Sequence, residues 1–214
     1  MKLTLYYAPT SCALVPYVAL TEAGAKFDVV TINIGKAQHH RPEYLRINPK
    51  HKLPALVIDG EPLTENVAIQ IWIARNFPQA KLLPAGAMNE VRAISIMAWI
   101  ASTIQPSLAP NVAPRRFCDI PGTEENVKQC ARKLLLENYA IAEIMLDARE
   151  WFFDEFTAVD VYFYWCFRRA MLFGIDLSSF PSCLAHLERV KQRPSVQKVL
   201  AFEAQTLAEF AEAA

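Results

Sequence analysis

One change of rhythm constrains this chain more than any other feature. Over residues 1–80, short runs rich in β-branched and aromatic side chains alternate with helical segments; beyond Leu82-Leu83-Pro84 the apolar spacing is helical almost throughout. In the first part, residues 2–7 (KLTLYY) and 27–33 (FDVVTIN) read as strands. Thr10-Ser11 between them can cap a helix running to Gly24, with Pro16 making its first turn irregular. A short helical piece at 42–46 precedes a strand at 53–58, an Asp59-Gly60 hairpin turn, a strand at 62–64 and a helix at 65–75. The order β-α-β-α-β-β-α predicts one parallel pair through a right-handed crossover, then antiparallel strands added by the hairpin. Residues 88–104, 124–146, 158–173 and 182–191 then predict an all-helical second part. The expected fold class is α/β plus all-α, with domains at 1–80 and 88–214.

Composition narrows the functional classes. The 214 residues are 53% hydrophobic and 21% charged, with 22 basic and 22 acidic side chains, and no block of like charge occurs. Nothing here has the electrostatic footprint of a nucleic-acid or anionic-membrane binder. No apolar run reaches the ~18 to 20 residues of a membrane span, and Pro9 and Pro16 interrupt any signal-peptide core near the start. The five cysteines are odd in number and widely spaced, with no C-x-x-C pair, which predicts reduced thiols in a cytoplasm. His39-His40 lack the spacing of a helical metal pair, so no metal is expected.

Three places can carry chemistry. Thr10, Ser11 and Cys12 crowd the end of the first strand, where a helix N-terminus favours an anion and lowers a thiol's pKa. A capping hydroxyl beside a small buried cysteine is the equal alternative. Leu53-Pro54 opens a strand that reads as buried; a cis peptide there would leave the Leu53 backbone to pair with an extended peptide, whereas a plain edge strand would also admit proline. Thr64-Glu65-Asn66 stands at the next helix start, able to hold a ligand carboxylate on its N–H groups and an ammonium on Glu65, or merely to supply an acidic cap.

Tyr7-Ala8-Pro9-Thr10-Ser11-Cys12, residues 42–54 (PEYLRINPKHKLP), residues 63–69 (LTENVAI) and residues 156–160 (FTAVD) together resemble cytosolic glutathione S-transferases over essentially the whole chain. The resemblance implies a thioredoxin-like N-terminal domain binding glutathione as co-substrate, an all-helical C-terminal domain with the pocket for a small hydrophobic electrophile, and a homodimer. It implies Ser11 or Cys12 as the donor that stabilises glutathione's thiolate, with Thr10 sharing the duty. It further implies Leu53 and Pro54 against the cysteinyl unit, Glu65 and Asn66 at the γ-glutamyl end, and His39, His51 and Lys52 near the glycine carboxylate. Thr157-x-x-Asp160 is similar to the family's capping box.

The subclass features are mixed. Cys12 falls on the cysteine of beta-class enzymes, Ser11 and His51 on the serine and histidine of delta and theta-like ones, and Thr10-Ser11-Cys12 is near a zeta-like S-S-C. Thr10 stands where a glycine is common, Asn66 where a serine is usual, and Gln105 where beta-class enzymes keep a histidine. Tyr7 reads as core, as do the aromatics at 162–167, and Arg115-Arg116 as a solvated pair. Rival readings are isomerase or thiol-transfer chemistry through Cys12 on the same glutathione site, and a non-catalytic binding protein that uses the fold for partner recognition.

Overall fold

A computed structural model describes residues 1–212 and divides into two compact units. The first joins Met1–Leu83 to the chain from Gln192 onward, and the second is Pro84–Lys191. The last helix therefore belongs with the α/β unit, whereas the sequence reading assigned everything from 88 to 214 to the helical part; residues 213–214 of that span lie outside the described residues. Its apolar face, including Val196 and Val199, is buried inside the first unit.

The first unit follows the expected order: β1 (Leu3–Tyr7), α1 (Leu14–Glu22), β2 (Asp28–Thr31), α2 (Pro42–Leu45), β3 (Ala55–Ile58), β4 (Glu61–Thr64) and α3 (Asn66–Asn76). The sheet order is β2-β1-β3-β4, with β1 parallel to β2 and the other pairs antiparallel. Thr4 pairs with Asp28 on one side and Val57 on the other, which fixes register across the sheet. Asp59 and Gly60 turn the hairpin with φ of 49° and 98°, the pair of positive angles a two-residue turn needs to match strand twist. Alternate β1 residues Leu3, Leu5 and Tyr7 are buried, and α1 is apolar on every face because α3 and the last helix both pack on it. Pro16 is tolerated because it lies in the first turn of α1.

In the second unit, α4 (Ala87–Trp99) passes through a π-helical turn at Ile100–Ile104 into α5 (Gln105–Leu108). Then come α6 (Glu124–Leu146), α7 (Ala158–Leu172) and α8 (Pro181–Lys191). Ten consecutive residues of α7, Ala158 to Phe167, are buried; the aromatics Tyr162, Phe163, Tyr164, Trp165 and Phe167 are core, as read from the sequence. Its N-terminus carries the full capping box of Thr157 and Asp160. The last helix is α9 (Pro194–Glu212), a segment whose helical period the sequence reading did not single out. Among the described residues, no helix is long and apolar enough to cross a membrane.

Candidate functional site

All ten residues singled out as site candidates fall in the first unit. The helix starts later than Thr10-Ser11 suggested, at Leu14, because Thr10 takes a left-handed backbone (φ 62°), unlike the extended conformation of an N-cap residue. The Ser11 hydroxyl donates to the Ala8 carbonyl at 2.7 Å and accepts from the Ala13 N–H at 3.2 Å, so its one proton is committed to the turn itself. Cys12 is 6% exposed, and its thiol donates to the Leu53 carbonyl at 3.3 Å. The Asn66 side-chain N–H group donates to the Cys12 carbonyl at 3.0 Å. One turn thus brings Thr10, Ser11, Cys12, Leu53 and Asn66 together.

The opposite wall is the loop from Asn48 to Pro54. The Leu53-Pro54 peptide is cis, as expected, and precedes β3, an interior strand, so the edge-strand alternative falls away. The loop is pinned from inside: Asn48 Nδ2 donates to the Lys52 carbonyl at 2.7 Å, the Tyr44 hydroxyl donates to the same oxygen, and the Lys50 N–H donates to Asn48 Oδ1 at 3.1 Å. Burial pushes the Tyr44 phenol up, outweighing the hydrogen bond from Asn48, so this hydroxyl remains a donor. The Lys52 and His51 side chains are left exposed. The His40 ring lies 4.1 Å from His39 and 4.6 Å from His51, centroid to centroid. His39, half-buried, and His51 therefore meet at the exposed His40.

At the third corner Glu65 also has a positive φ, 72°, immediately before α3. Lys50 Nζ donates to Thr64 Oγ1 at 2.8 Å and forms an ion pair with the Glu65 carboxylate, both side chains remaining substantially exposed. Asn66 is buried, so its role in the site runs through Cys12 and the first N–H groups of α3. Thr10, His51 and Glu65 are all non-glycine residues with positive φ, a concentration of backbone strain of the kind found at binding and catalytic sites.

Three contributors escaped the sequence reading. Asn48 lies within the quoted 42–54 stretch, where the Asn48-Pro49 pair was the available signal. Lys50 is one residue from a chosen histidine. Glu203 of α9 had no local signal: it is 3% exposed and accepts from the Thr10 N–H at 2.6 Å and the Tyr7 hydroxyl at 3.3 Å. Tyr7 is fully buried, matching its reading as core. Arg115 is exposed and pairs with Glu124, matching the solvated reading. A groove of about 590 Å³ in the same unit, lined by Lys2, Phe27 and Lys198 among others, contains none of the site residues.

Chemically, the arrangement joins a thiol at the entrance to a helix, a strand-like backbone edge at Leu53, a helix N-terminus beside a carboxylate, and a basic flank. It suits an extended peptide with a carboxylate at each end and a group needing a hydrogen-bond donor between them.

Comparison with known proteins agrees with this geometry. Residues 1–75 match the family model described as the glutathione S-transferase N-terminal domain. The chain is 29% identical over 203 residues to glutathione S-transferase GstA of Escherichia coli O157:H7, covering 93% of this chain and 98% of that protein. It is 29% identical to the maleylacetoacetate isomerase of Pseudomonas aeruginosa, covering 85% and 86% respectively. A sphingomonad glutathione S-transferase solved in complex with glutathione is 30% identical, with a TM-score of 0.83 over 94% of this chain and 98% of that one.

Proposed function

The chain belongs to the glutathione S-transferase family, and from that premise we propose that it is a glutathione transferase, activating the thiol of glutathione for attack on small hydrophobic electrophiles. The sphingomonad relative, solved with glutathione, supports glutathione as the co-substrate.

One observation carries the assignment of roles. The Ser11 proton is held by the Ala8 carbonyl at 2.7 Å, within the turn it stabilises, whereas the Cys12 thiol rests on the Leu53 carbonyl at 3.3 Å through a weak S–H bond. The weaker S–H bond makes Cys12 the donor that turns to an incoming sulfur, and Ser11 shapes the turn around it. A donor on that sulfur favours the thiolate over the thiol, each pKa unit corresponding to ~1.4 kcal/mol. The Leu53 backbone pairs with the cysteinyl unit beside Pro54. Glu65 takes the γ-glutamyl ammonium, with the α3 N–H groups from Asn66 onward on its carboxylate. His39, His51 and Lys52 take the glycine carboxylate. Thr10 supplies the bend that lets the sulfur approach.

The likeness to maleylacetoacetate isomerases supports a second reading, isomerase chemistry on the same site. There the thiolate adds to an activated double bond and leaves after rotation, so glutathione is not consumed. A homodimer is supported by apolar side chains left exposed on the helical unit: Met88 and Val91 on α4, and Leu134, Ile141 and Ile144 on α6. The odd, scattered cysteines support a cytoplasmic setting.

Calorimetry with glutathione, read together with absorbance near 240 nm, tests the proposal. Saturable binding with a thiolate band near neutral pH is expected for the wild type, and loss of that band is expected in Cys12→Ala. Absence of binding at millimolar glutathione would remove both enzymatic readings and favour a non-catalytic role. Consumption of glutathione with electrophile separates conjugation from isomerisation.

A further inference from the structure

Thr10 occupies a backbone conformation that glycine adopts freely and threonine does not: its φ of 62° brings a β-branched side chain against its own carbonyl. Such a residue stays there only when its surroundings over-determine it. Here the constraint comes from the far end of the sequence. The Glu203 carboxylate, 3% exposed, accepts the Thr10 N–H at 2.6 Å, in the short range of charge-assisted hydrogen bonds. The Tyr7 hydroxyl, at the end of β1, donates to the same oxygen at 3.3 Å.

Glu203 is itself held on both sides. The neighbouring Phe202 ring lies 5.6 Å from Tyr7 and 5.5 Å from Tyr17. At the start of α9, Arg193 donates to both Glu22 oxygens at 2.8 Å, and Ser195 adds a hydroxyl. α9 is thus fixed along α1, and the carboxylate meets the turn at a set point.

We infer that Glu203 is a positioning residue for the turn that activates glutathione: by fixing the Thr10 N–H it holds Thr10 in its left-handed conformation and so aims Cys12 at the incoming sulfur. The inference rests on the glutathione reading. Glu203 touches neither substrate; it acts through Thr10, substituting for the conformational freedom that a glycine would bring to the same place.

The test is a double-mutant cycle between Glu203→Ala and Thr10→Gly, with Glu203→Gln as the companion that retains an acceptor. In Glu203→Ala, kcat/KM falls about 10- to 30-fold and the thiolate fraction of bound glutathione near neutral pH falls several-fold, with Glu203→Gln about 3-fold down. In the Thr10→Gly background the same Glu203→Ala change costs no more than about 3-fold, because the glycine needs no holding. Hydrogen exchange at the Thr10 amide, measured without glutathione, quickens at least about 10-fold in Glu203→Ala. Equal losses in both backgrounds, or unaltered Thr10 exchange, would overturn the inference. If Glu203→Ala does not fold, the cycle is run with Glu203→Gln, whose loss of about 3-fold must vanish in the Thr10→Gly background. A wild type that fails to bind glutathione removes the functional reading, while the Thr10 exchange still reports whether Glu203 holds the turn.

Discussion

Two helix starts in this molecule solve the same problem in opposite ways. At α7, everything needed lies within a few residues: Asp160 accepts the Thr157 N–H at 2.7 Å and its hydroxyl at 3.0 Å, and also takes the Phe152 N–H at 3.0 Å. His186, at 2.9 Å, completes the shell of a carboxylate that is wholly buried. Ahead of α1 there is no such cap. A left-handed Thr10 and a Ser11 hydroxyl bonded back to the Ala8 carbonyl bend the chain, and the stabilising carboxylate arrives from a helix 193 residues later. The first start is built for permanence, since the capping N–H and hydroxyl groups are answered within the box itself and excluded from water. The second keeps Cys12 beside a partly open turn, at the cost of backbone strain and distant support.

The largest effect is expected at α7. Asp160→Ala leaves the His186 Nε2 and two backbone N–H groups buried without acceptors, and is expected to destabilise the protein by about 3–5 kcal/mol in denaturant unfolding. A loss below about 1 kcal/mol would show that the local cap is dispensable. Next come Cys12→Ala and Ser11→Ala. The first is expected to lower kcat/KM on the order of 100-fold with little change in melting temperature. The second is expected to lower stability by about 1 kcal/mol and activity by less than Cys12→Ala does. A reversal of that order would make Ser11 the donor.

A pH experiment sharpens the contrast by probing the distant support. Burial raises the Glu22 carboxyl, but hydrogen bonds from Arg193 and Ser195 and the charge of Arg193 outweigh it, leaving the group below its usual range. Because the folded value lies below the unfolded one, its stabilisation is complete above about pH 4.5 and is lost as the pH falls further. Glu22→Gln should therefore flatten the acid limb of stability below about pH 4.5, as read by thermal melting; an unchanged limb would assign the acid sensitivity elsewhere. The smallest effect is expected from Lys50→Ala. Its pair with Glu65 is largely exposed, so stability should change by no more than about 0.5 kcal/mol, and less at high salt.

What was legible in the sequence follows the same divide. The Thr157-Asp160 box and the Asp59-Gly60 turn were readable because each is set by residues close in the chain. The cis Leu53-Pro54 peptide was readable because proline leaves few alternatives. Cys12, Leu53 and Asn66 were chosen separately, and the structure brings them together through hydrogen bonds between the turn, the loop and α3. The start of α1 was misplaced because Thr10 and Ser11 have the composition of caps, whereas the φ that excludes Thr10 from capping is held by tertiary contacts. Glu203 was invisible for the same reason: a glutamate on an amphipathic helix carries no mark that it faces inward. Asn48 was hidden inside a stretch chosen for its histidine and lysine, although its amide pins the loop they stand on.

The return of α9 to the first unit also imposes an order of events on the growing chain. Everything in Pro84–Lys191 has been made before the segment that completes the α/β unit appears. At about 5–20 residues per second, the turn at Thr10 waits roughly 10 seconds or longer for Glu203 to leave the ribosome. During that interval the nascent protein has its thiol but lacks the carboxylate that shapes the bend around it, so the site is assembled only once α9 has joined the first unit.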